Sequence, residues 1–221
     1  MLLQYTRPIL APLLPALLLF LSTCALAQSG IEQKLMTLPG LEEARKMQGR
    51  DGQPVYELYF RQPLDHQDTT KGFFQQKVYL THKGYDQPTV LVTEGYTAPR
   101  PTYYELSQLL EANQIRVEHR YFGNSQLEVE GYDYLNLKQA TADYHQLREV
   151  FATVYPEQWV STGISKGGTT TIFYRYFYPD DVTVSVPYVA PINQEYEEQR
   201  IYDFLDKVGT EDCRANILSL Q

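Results

Sequence analysis

The stretch Gly163-Ile164-Ser165-Lys166-Gly167 is the part of this sequence best suited to covalent chemistry. A G-x-S-x-G pattern is weak alone, because short patterns with two glycines arise by chance. Its flanks give it weight. Trp159-Val160-Ser161-Thr162-Gly163 reads as a strand and Gly167–Tyr178 as a helix, the strand–turn–helix setting in which a serine is lifted off the edge of a sheet. In such a bend the Ser165 hydroxyl is a nucleophile for an acyl carbon, and the flanking glycines remove Cβ atoms that would clash. The competing expectation is a turn serine that caps the helix. An oxyanion formed at Ser165 needs two donors. The backbone N–H of Lys166 is the first, and the side chain of Lys166 is expected to add nothing. The second comes from the loop Glu94-Gly95-Tyr96-Thr97, through the amide of Gly95 or Tyr96, unless Gly95 merely turns the chain.

Two carboxylates, Glu94 and Glu118, follow strand-like segments and fall on the same sheet edge as Ser165. They could hold a substrate amino terminus by charge-assisted hydrogen bonds, or form structural pairs with Arg100 or Arg120. The general base is the difficulty. The four histidines, His66, His82, His119 and His145, all precede Ser165, whereas this setting orders its partners as serine, acid, histidine. His119 could stand in only under another order, and His145 reads as a helix-surface residue. Asp180 and Asp181 precede the last strand, at the wrong end for an acid. With no CxxC, HExxH or histidine cluster, no metal and no cofactor is expected.

The elements that would position these groups follow from periodicity. Val55–Phe60, Gln75–His82, Thr89–Thr93, Ile115–Glu118 and Val182–Val189 read as further strands. Helices are expected at Leu41–Met47, Tyr103–Ala112 and over 137–154, where Leu137, Ala140, Tyr144, Leu147, Phe151 and Val154 form the apolar stripe and Asp143 lies off it. Two leading strands and then strand–helix repeats predict an α/β class with a mostly parallel sheet and helices on both faces. Arg7, the apolar run Ile9–Leu21 and the site Ala25-Leu26-Ala27 predict a cleaved leader over 1–27, hence a secreted or periplasmic chain with no membrane span left after cleavage. Leu21-Ser22-Thr23-Cys24 loosely resembles a lipid-attachment box, which would anchor the chain through Cys24. Residues 28–54 read as a linker with one short helix, 55–195 as the α/β domain, and 196–221 as a helical segment. A formal charge of −8 argues against a nucleic-acid partner.

Taken in order, Thr93-Glu94-Gly95-Tyr96, Glu118-His119-Arg120-Tyr121-Phe122-Gly123, Gly163-Ile164-Ser165-Lys166-Gly167-Gly168 and Val189-Ala190-Pro191-Ile192 resemble the landmarks of bacterial secreted tripeptidyl aminopeptidases. That family is similar in turn to the prolyl carboxypeptidase and dipeptidyl-peptidase group. The resemblance implies an α/β-hydrolase fold truncated before its last strands, peptide substrates, and a Ser-Asp-His triad of which only Ser165 is matched here. It makes 196–221 the start of a helical cap and places a partner for Cys213 in the missing part. An esterase on the same fold and a non-catalytic peptide binder are the alternatives.

Overall fold

The computed structural model describes residues 30–49 and 52–220, so the expected leader and Cys24 lie outside the described residues. Seven strands form one sheet in the order β1-β2-β3-β5-β4-β6-β7. They are β1 (Leu41–Gln48), β2 (Pro54–Pro63), β3 (Phe73–Thr81), β4 (Thr89–Thr93), β5 (Asn113–Val117), β6 (Trp159–Ile164) and β7 (Val184–Tyr188). The helices are α1 (Gly30–Leu35), α2 (Glu105–Leu109), α3 (Leu137–Ala152), α4 (Lys166–Phe177), α5 (Gln199–Leu205) and α6 (Glu211–Leu218).

The sheet is mixed. β4 runs parallel to β5 and β6, and β6 parallel to β7, whereas β1, β2, β3 and β5 pair antiparallel in succession. The expected mostly parallel sheet describes its second half. β4 is at the centre of that half, and its run Thr-Val-Leu-Val-Thr is buried throughout, as a strand covered on both faces must be. Leu91 points to one face and joins Leu58, Leu80 and Ile115 under Tyr144, Leu147, Phe151 of α3 and Tyr174 of α4. Val90 and Val92 point to the other and meet Ala112, Tyr104 and Leu106 around α2.

Three sequence expectations change. Leu41–Met47 is not a helix but most of β1, antiparallel to β2. A strand with an open neighbour gains a hydrogen-bond ladder that outweighs a weak local helical preference. Its exposed charges, with Arg45 paired to Glu57 across the strands at 2.9 Å, guard an outer edge. The short helix of this region is instead α1, which buries Leu35. Leu41–Gln48 thus adds a strand to the sheet where a linker with a short helix was expected. α2 is shorter than expected, because Tyr104 before it is extended and the Tyr103 hydroxyl ties off the carbonyls of Ser107 and Ala112. In α3 the expected stripe is buried from Ala140 to Phe151, with Leu137 half-buried and Val154 buried just past the helix, but Asp143, which periodicity placed off it, is buried too.

Candidate active site

Ser165 connects β6 to α4 with φ 56° and ψ −122°, a conformation that few non-glycine residues tolerate. Its side chain makes no capping bond to the helix, the residue is exposed, and its own N–H donates to the Tyr188 carbonyl at 3.0 Å. The capping expectation is therefore not met. The bend is tight enough to require its glycines. A Cβ on Gly163 would run into the Gly167 carbonyl, and one on Gly168 would come 2.7 Å from the Tyr188 carbonyl oxygen. The loop after β4 lies as close: a Cβ on Gly95 would sit 2.6 Å from Lys166 Cβ and 2.8 Å from Gly167 N. At the end of β4, Thr93 Oγ1 donates to the Gly167 carbonyl at 2.9 Å and fastens strand to helix.

This apposition puts the amides of Gly95 and Tyr96 beside the start of α4. Neither donates to a described acceptor, and the N–H of Lys166 lies in the first helical turn, where no intrahelical acceptor exists. The helix dipole adds positive potential there. Gly95 is buried and Tyr96 exposed. Unengaged N–H groups converging in this way can stabilise a negative oxygen.

Both carboxylates form structural ion pairs, though not with Arg100 or Arg120. Glu118 is fully buried: its oxygens accept from Ala98 N (2.7 Å), Asn124 N (2.7 Å) and Ser125 Oγ (3.1 Å), and Lys77 Nζ lies 3.1 Å away. A Cβ on Gly123 would collide with that carboxylate, so the glycine is needed. With its lone pairs spent on two loops, Glu118 faces no substrate; the expectation is corrected, and its ion-pair partner is Lys77 rather than Arg120. Glu94 is only part buried; one oxygen binds Arg116 Nε at 2.6 Å and the Tyr104 hydroxyl at 2.8 Å. Burial first, then the charge of Glu94, pushes Tyr104 up to about 12.

Sequence reasoning missed a buried network beneath these loops. Arg120, wholly buried, forms a two-pronged pair with Asp143 on α3 (Nε–Oδ2 2.8 Å, Nη2–Oδ1 2.7 Å) and donates to the carbonyls of Pro63, Leu64 and Tyr134. His66 Nε2 reaches the same carboxylate at 2.7 Å. Burial alone would raise the Asp143 pKa, but Arg120 and His66 outweigh it and hold the carboxyl below its ordinary value. The one sequence signal was an aspartate inside a helix and next to Tyr144 of the expected apolar stripe.

None of the four histidines is bonded to Ser165. His119 Nδ1 sits 2.8 Å from the Arg120 carbonyl, and burial, then the charge of Lys166, pushes its pKa down to about 4. His82 meets the Tyr155 hydroxyl at 3.0 Å. His145 pairs with Asp181 at 2.8 Å and stacks on Tyr178. The ligand atoms of His145, Glu149 and Asp181 lie within 4.8 Å of one another, but Asp181 is engaged by Tyr174 and Glu149 by Arg148.

A model of the PS-10 peptidase S37 family matches residues 26–221. Over 196 residues the chain is 35% identical to the prolyl tri/tetrapeptidyl aminopeptidase of Streptomyces mobaraensis, which covers 88% of this chain and 41% of that protein. The chain thus spans about two-fifths of that relative's length. Among solved structures, acetyl xylan esterase 1 from Thermoanaerobacterium sp. superposes with a TM-score of 0.51 at 12% identity, over 80% of this chain and 65% of that one. An alpha/beta hydrolase, GrgF from Penicillium sp., superposes with a TM-score of 0.50 at 17% identity, over 76% and 56%. At such identities the likeness is one of fold: an α/β hydrolase.

Proposed function

This chain belongs to the PS-10 peptidase S37 family, and from that premise we propose that Ser165 is the acylated nucleophile of an exported serine peptidase that releases short peptides from the N-termini of peptides or proteins. The observation that carries the reading is the strained, exposed Ser165 standing beside the unengaged amides of Gly95 and Tyr96. Ser165 Oγ bonds to the scissile carbonyl carbon while its proton passes to a base, and the carbonyl oxygen, now negative, is held by the amide of Lys166 and that of Gly95 or Tyr96. Collapse breaks the C–N bond, the proton goes to the leaving amine, and water then hydrolyses the acyl ester. No histidine follows Ser165 in the sequence, so in this reading the base and its orienting acid are carried outside these 221 residues. Glu94, the carboxylate that is only partly buried, is the candidate for meeting a substrate's amino group. Export rests on the leader-like run over residues 9–27.

The test is a fluorophosphonate probe on the protein isolated from its native source. A covalent adduct on Ser165, absent in Ser165→Ala, is expected; an unlabelled serine in an intact protein overturns the assignment. Faster turnover of a tripeptide amide than of a short acyl ester is expected too, and the reverse preference would make the protein an esterase.

A further inference from the structure

Lys166 is adjacent to the nucleophile, and its side chain has an unusual setting. Its ammonium lies 4.5 Å from the centre of the Phe122 ring and 5.0 Å from that of Tyr96, and these two rings meet edge to face at 5.3 Å. No ion pair engages it among the described residues, and it is half-buried, which lowers its pKa. A cation withdrawn from water without a carboxylate is held by the negative faces of aromatic rings. The two rings belong to different loops. Tyr96 lies in the loop after β4 that carries the second oxyanion donor; Phe122 lies in the loop after β5.

The far side of the Tyr96 loop is already fixed. The Tyr96 carbonyl accepts from His119 N at 3.1 Å, and Ala98 N is held by Glu118. Toward α4 the loop meets the Lys166 ammonium over the Tyr96 ring and the close approach of Gly95 to Lys166 Cβ and Gly167 N, while the Tyr144 hydroxyl holds the Glu94 carbonyl before it; of these only the Lys166 ammonium touches the Tyr96 side chain. We propose that Lys166 is a positioning residue through its side chain: its ammonium clamps Tyr96 against Phe122 and thereby sets the Gly95–Tyr96 amides at the distance from the Lys166 amide that an oxyanion requires. One residue then supplies the first donor with its backbone and fixes the second with its charge. The inference rests on the proposed reaction at Ser165 and adds to it a role for a side chain expected to have none.

The experiment measures inactivation of the native-source protein, and of variants expressed in the same host, by a fluorophosphonate. Lys166→Met keeps the length and apolar bulk but removes the charge; Lys166→Arg keeps a charge that can lie over the rings. For Lys166→Met the limiting inactivation rate is expected to fall roughly tenfold, less than outright loss of a donor costs. Its half-saturation concentration should stay the same, and its melting temperature should stay within about 2 °C of wild type. Lys166→Arg should recover most of the rate. In the pair Tyr96→Leu and Lys166→Met, the double variant should be no slower than the slower single one, because both break the same contact. A Lys166→Met protein that reacts at the wild-type rate overturns the clamp while Ser165 keeps its assignment. So does a rate loss that Lys166→Arg fails to restore. Absence of labelling in the wild-type protein overturns both readings.

Discussion

Glu118 is a residue whose type suggested chemistry and whose surroundings assign it to architecture. Its carboxylate joins the loop after β4 to the loop after β5 and neutralises the buried Lys77. Glu118→Gln would leave Lys77 buried without its counter-charge, and breaking such a pair costs about 3–5 kcal/mol. Urea denaturation should show that loss, with a fall in acylation of Ser165 as the oxyanion loop slackens. His119 sets a pH dependence. Its folded pKa, about 4, lies below the ordinary 6.5, so the unfolded chain binds the extra proton first as pH falls. Its contribution to stability is complete above pH 6.5 and is lost as pH drops towards 4, to a limit of about 3 kcal/mol. Melting curves between those pH values should flatten in His119→Asn, whose amide can keep the bond to the Arg120 carbonyl. The bend at Ser165 was legible in sequence because its environment is local, a strand, two glycines and a helix. The tasks of Glu118, Arg120 and the Lys166 side chain were not, because each is defined by groups brought in from other elements: Lys77 and Ala98 for Glu118, Asp143 for Arg120, Tyr96 and Phe122 for Lys166.

At the scale of elements, the strand–bend–helix unit is a fit of backbones rather than of side chains. Gly95 shows its tolerance: a methyl group there meets Lys166 Cβ and Gly167 N, neither of which can swing aside. Gly95→Ala should therefore push the loop off the helix, destabilise the fold by more than about 1 kcal/mol, and abolish fluorophosphonate labelling. Leu147, at the middle of the buried face of α3, is wholly enclosed, and Leu147→Ala should cost about 2–5 kcal/mol in denaturant titrations without changing the reactivity of the folded fraction. Elements with strong internal patterns were readable: β4 has the expected bounds, and α3 shows its stripe. Leu41–Met47 differs from its expected helix because an outer strand rich in charge has no apolar signature of its own; the ladder offered by β2 decides its conformation.

Across the whole molecule, apolar surface is unevenly spread. Val189 is 79% exposed, Phe204 62% and Tyr196 fully so, and α5 and α6 bury none of their residues. Large apolar side chains left open to water, where they adjoin, mark interaction surfaces or aggregation liabilities. The 221-residue chain should bind a hydrophobic dye at neutral pH and sediment as species larger than 25.6 kDa; dye-free, monomeric behaviour would contradict that expectation. The parallel half of the sheet could be foreseen because strand–helix alternation leaves few arrangements. The antiparallel half could not, since pairing partners of successive strands are not written in periodicity.

The bond from Ser165 N to the Tyr188 carbonyl, with that from Thr169 Oγ1 to Pro191 O at 2.6 Å, has a temporal corollary. The bend at Ser165 is braced by a strand made more than twenty residues later, so a growing polypeptide holds this serine unsupported until that strand arrives. The shape of the bend is thus withheld from the nascent chain and reached only once the seventh strand has docked.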